Sequence, residues 1–90
     1  MGREGRLSTV DEIWAELFVH NIDAGLAAEI CHLMAKKPLR VQRAFLLRCR
    51  GDGYEAIAGS LKVSLGTAWY LLHRDCADVH AMLCGECAMD

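Results

Sequence analysis

Ninety residues, 53% of them hydrophobic, are enough for one domain with a modest core that needs no disulfide support. No apolar run approaches the ~20 residues of a bilayer span, and Met1-Gly-Arg-Glu-Gly-Arg6 lacks the apolar stretch of an export signal, so a cytoplasmic protein with no membrane segment is expected. The formal net charge is −2, and five cysteines without an export signal read as thiols that are buried, metal-bound or redox-active rather than as a disulfide framework.

A charged end over residues 1 to 7 precedes a first helix capped by Ser8 or Thr9, with Asp11 and Glu12 in its opening turn, where the helix dipole favours negative charge. Ile13 and Leu17, joined by Trp14 and Phe18, form its apolar face, and it stops near His20-Asn21. A second helix starts at Asp23 and runs through Leu26, Ala27, Ile30, Leu33 and Met34 until Lys36, Lys37 and Pro38 end it. Pro38 suits the opening turn of a third helix, from Leu39 to about Cys49, with Val41, Phe45 and Leu46 turned inward. Arg50-Gly-Asp-Gly53 is a turn.

From Tyr54 to Arg74 the chain spells two short helices joined by a tight turn. Ile57, Ala58 and Leu61 make one apolar stripe, and Ser64 caps a second helix carrying Ala68, Leu71 and Leu72 that is expected to run on past Arg74 toward Leu83. No strand-like alternation, repeat or low-complexity tract interrupts this pattern. The expected fold is all-α, one compact domain of about five helices over residues 1 to 90. It comprises a helical extension (1–36), a helix-turn-helix core (37–83) and a cysteine-containing tail (84–90).

The core resembles region four of bacterial extracytoplasmic-function sigma factors over residues 38 to about 83. The likeness rests on Lys37-Pro-Leu-Arg-Val-Gln-Arg-Ala-Phe-Leu-Leu-Arg48, on Gly53-Tyr-Glu-Ala-Ile-Ala58, and on Leu61-Lys-Val-Ser-Leu-Gly-Thr-Ala68 followed by Leu72 and Arg74. The resemblance implies a transcription regulator whose second helix of the pair enters the major groove of promoter DNA. It also implies contact with the flap of the RNA polymerase β subunit. Nothing like region two is present, so DNA melting is not expected of this chain alone. On this reading Ser64, Thr67, Tyr70, His73 and Arg74 face the groove, while Arg40 and Arg43 of the basic third helix touch phosphates.

Charge is unevenly spread. Six basic residues and no acid lie between Lys36 and Arg50, whereas residues 51–90 hold two basic residues against six acids. Positions 69 to 71, where family members often carry cations, hold Trp69-Tyr70-Leu71, which predicts DNA binding much weaker than the family's because phosphate contacts supply most of the affinity. Leu65, Trp69, Leu72 and Cys76 form a second apolar stripe beside the core stripe of Ala68, Leu71 and Val79. Either the N-terminal helices cover it, or Leu65, Trp69, Tyr70 and Leu72 form a contact surface for another regulatory protein, for polymerase or for a second copy of the chain. The alternative function is therefore an adaptor or antagonist that keeps the fold and does not bind DNA.

His80-Ala-Met-Leu-Cys84-Gly-Glu-Cys87 has the spacing His-x3-Cys-x2-Cys and is similar to part of the zinc-binding anti-sigma domain. With Cys76 one turn before His80, the four residues Cys76, His80, Cys84 and Cys87 are candidate ligands of one structural zinc ion. The competing reading is a helix bearing idle thiols, and Cys31 and Cys49 read as core thiols. No phosphate-binding glycine loop follows a strand, and Gly51-x-Gly53 is a turn, so no enzymatic activity is expected.

Overall fold

The computed structural model of the chain describes residues 8–83. Six α-helices follow one another: α1 (Thr9–Val19), α2 (Ala24–Ala35), α3 (Leu39–Cys49), α4 (Tyr54–Leu61), α5 (Leu65–His73) and α6 (Ala77–Leu83). No strand occurs among the described residues, and no helix there is long and apolar enough to cross a membrane.

Local chemistry explains where each helix begins. Ser8 caps α1 in a reciprocal box: its hydroxyl accepts the Asp11 N–H at 3.1 Å and its own N–H reaches the Asp11 carboxylate at 3.4 Å. Asp23 does the same work alone for α2, accepting from the N–H groups of Gly25 and Leu26. Pro38 stands at the N-cap of α3, where its missing N–H costs nothing. Ser64 caps α5 by accepting the Thr67 N–H at 3.1 Å.

The ends share a mechanism. Asn21, Gly51 and Lys62 all adopt positive φ, and the next residue in each case returns its N–H to the carbonyl five positions back: Ile22 to Leu17, Asp52 to Leu47 and Val63 to Ala58. This arrangement satisfies carbonyls that the terminating helix leaves open. Glycine and asparagine are the residues that commonly take this conformation, so of the three termini only the one at Lys62 lacks the usual composition signal.

Helix α3 is the hub, packing against α1, α2, α4 and α5. Helices α4 and α5 pair through the turn, and α6 lies on α2. Buried residues from every helix form one cluster, with Ile13, Ile30, Met34, Ile57 and Val79 fully enclosed. No polar or charged residue is buried among the described residues. At ~25 cal/mol per Å² of apolar surface removed from water, this burial is the main force holding the helices together. Gln42 fastens the α2–α3 corner, its amide donating to the carbonyls of Met34 (3.0 Å) and Lys37 (2.9 Å).

Two expectations from sequence need correction. Trp14 and Phe18 do not join the core face of α1. They stand outside it, ring centroids 6.4 Å apart, because α2 and α3 occupy only the side bearing Ile13 and Leu17. The helix begun at Leu65 also does not continue to Leu83. It ends at His73, and a turn over Arg74–Cys76 redirects the chain so that α6 leaves the axis of α5 and packs on α2. The Lys37 ammonium, 3.2 Å from the Asp78 carboxylate, holds that placement. The result is six helices instead of five.

Candidate nucleic-acid or protein interface on α5

The start of α5 is presented outward. Leu65, Trp69 and Tyr70 retain 51, 48 and 54% of their accessible surface, large values for residues of this type. No packing of α1 or α2 against α5 is present among the described residues, so the N-terminal helices do not cover this face. Trp69 meets Tyr70 edge-on at 5.8 Å and stacks on His73 at 4.3 Å, which gives the face a fixed aromatic relief. A shallow groove of about 400 Å³ runs beside it between Gly53, Tyr54, Glu55, Leu65 and Trp69.

Leu72 departs from expectation. It is only 6% exposed and belongs to the core, so it is no part of an outward surface. The reason is angular: on a helix of 3.6 residues per turn, Leu72 lies beside Leu71 and Ala68, on the side that α3 takes up. The four-residue stripe therefore splits, with Leu65 and Trp69 outside and Leu72 and Cys76 inside.

The other expected groove residues are scattered in role. The Ser64 hydroxyl is occupied, accepting from the Thr67 N–H and donating to the Thr67 hydroxyl at 2.9 Å. Thr67 is half-buried, whereas Tyr70 and Arg74 are exposed, with the Arg74 guanidinium 5.9 Å from the Tyr70 ring centre. His73 is half-buried and hydrogen-bonded to the Tyr54 hydroxyl.

The basic helix divides as well. Arg50 is engaged by two carboxylates of α1, Glu12 at 3.0 Å and Glu16 at 3.3 Å, and these bonds hold its guanidinium more firmly protonated than usual. Lys37 is held by Asp78, and Arg48 donates to the Asp52 carbonyl while lying 5.2 Å from the centre of the Tyr54 ring. Arg40 and Arg43 are exposed and have no ion-pair partner among the described residues. Arg43 borders a crevice with Ser60 and Leu61, at the end of α4.

Of the expected zinc ligands, Cys84 and Cys87 lie outside the described residues. Cys76 and His80 do not share an outward face: the Cys76 thiol is 1% exposed inside the core, while His80 is exposed. Burial pushes the Cys76 thiol up to about 12. No group of three or more His, Cys, Asp or Glu side chains among the described residues is arranged to hold a metal ion.

Sequence reasoning passed over Tyr54, Arg48 and Gln42 as organising residues. The Tyr54 hydroxyl reaches across nineteen positions to His73, a distance at which no local spacing rule gives a signal. Comparison of the chain with protein-family models, with curated proteins and with solved structures finds no match.

Proposed function

We propose that this protein is a small transcription regulator that works through the α4–turn–α5 unit, with α5 as its reading helix and promoter DNA or RNA polymerase as its target. The observation that carries the reading is the outward presentation of α5. A serine-capped helix follows a three-residue turn, and its first two turns stay open to solvent on one side. Exposed Arg40 and Arg43 on α3, with Lys62 in the turn and Arg74 at the end of α5, are among the cations available to phosphates. The resemblance to region four of sigma factors supports the same reading.

A salt titration of binding to random duplex DNA tests it. With few free cations the expected dependence of log affinity on log salt is shallow, a slope of about −4 for these four contacts, and Arg40→Ala or Arg43→Ala each reduces its magnitude by about one. No binding even at low salt overturns the DNA part.

A second reading is favoured by a specific observation, the half-exposed Leu65, Trp69 and Tyr70. These residues are apolar where phosphate contacts call for charge, and large aromatics anchor protein interfaces. On that reading the chain is an adaptor or antagonist that docks α5 on polymerase or on another regulator without touching DNA. Purified RNA polymerase retained by the wild-type chain and lost with Trp69→Ala supports it; equal retention by both sinks it.

A further inference from the structure

A cleft of about 390 Å³ opens where α3, α4, α5 and α6 meet, near the lower end of the volumes that take small organic ligands. Phe45, Leu72 and Cys76 form its apolar floor, and all three are core residues. Its rim is polar: Arg48 from α3, Tyr54 from α4, His73 from α5 and His80 from α6.

The lining is lopsided in charge. The chain has 12 Asp and Glu against 10 Lys and Arg, yet among the described residues no carboxylate lines this cleft, while a guanidinium and two imidazoles do. Arg48 donates to a backbone carbonyl and has no carboxylate partner among the described residues. The His80 ring lies 6.0 Å from that of His73 and has no side-chain hydrogen bond among the described residues. Cys49 also borders the cleft. Burial holds its thiol near 11 and that of Cys76 near 12, so both are neutral at pH 7 and do not repel an anion.

We propose that this cleft is a binding site for a small aromatic carboxylate, its ring against Phe45 and Leu72 and its carboxylate held by Arg48 with an N–H from His80. A planar guanidinium meets a carboxylate through two parallel hydrogen bonds, which an ammonium does not match. The apolar floor supplies the affinity, and the rim selects the charge. His73 lines the cleft and carries Trp69 stacked on its outer side, so the indole reports on occupancy.

The test uses the full chain with Trp14→Phe, which leaves Trp69 as the sole tryptophan. The protein is titrated with 3-phenylpropanoate and, separately, with 3-phenylpropan-1-ol. A saturable change in Trp69 emission with the acid is expected, with the alcohol about tenfold weaker. Arg48→Gln is expected to weaken the acid about tenfold and leave the alcohol unchanged; Arg48 is exposed, and circular dichroism checks that the variant folds. Calorimetry on the unsubstituted chain must agree. No saturable binding of the acid up to ~10 mM, the weak end for a ligand of this size, overturns the proposal. So does equal affinity for acid and alcohol, or an Arg48→Gln variant with unchanged preference. The assignment does not depend on what α5 meets: if the acid fails to bind while DNA or polymerase binding stands, this inference falls alone.

Discussion

Cys76 shows how much a single side chain's surroundings decide. In sequence it was one of a stripe of four and a candidate metal ligand; in the fold it is a core residue whose thiol is shifted by burial from its ordinary 9.0 to about 12. The sign of the pH effect follows. The folded value lies above the unfolded one, so the thiol's contribution to stability is complete below pH 9 and is lost as the pH rises from there toward 12. Between those limits the loss is about 1.4 kcal/mol per pH unit. Urea unfolding at pH 8, 9.5 and 10.5 is expected to show that extra slope in the wild-type chain and not in Cys76→Ala, even though the variant starts lower for lack of the packed sulfur. Parallel curves for the two proteins would mean that the thiol is reached by water.

At the scale of elements, the caps were legible from the residues alone. Ser8, Asp23 and Ser64 each open the helix their chemistry announces, because an N-cap is a local contract between one side chain and the next few N–H groups, and Pro38 opens α3 without a side-chain bond, through its fixed φ and missing N–H. Ser64→Ala is expected to cost about 1 kcal/mol in global stability, measured by denaturant unfolding, and to loosen the first turn of α5 where Leu65 is displayed. A change below a few tenths would show that the turn is held by packing alone. The core side of α5 was legible too, since Ala68 and Leu71 were expected inside and are there, while Val79, expected on the same helix, is buried from α6 instead. What the pattern could not reveal is which of two apolar stripes finds a neighbour. Leu72 and Leu65 look equivalent in a periodicity, and only the position of α3 separates them. Likewise nothing between Arg74 and Cys76 is a proline or glycine, so the break between α5 and α6 carries no composition signal; it exists because α2 offers α6 a place to pack.

For the molecule as a whole, a continuous cluster of buried residues reaching every helix implies that the extension and the α3–α5 core stand or fall together. Trp14 on α1 and Trp69 on α5 make this measurable. Single-tryptophan variants, Trp14→Phe and Trp69→Phe, are expected to report the same denaturant midpoint, as a two-state unit requires. Midpoints that differ clearly would divide the chain into two units. The same architecture limits how α5 can respond when something grips it. The hydroxyl of Tyr54, at the head of α4, is bonded to His73 at the foot of α5, while the short turn at Lys62–Ser64 joins their other ends. The two helices thus form a closed frame, tied at both extremities. A force applied to Trp69 is therefore shared with α4 through the Tyr54–His73 bond, and it reaches the mouth of the cleft, where both of those residues stand.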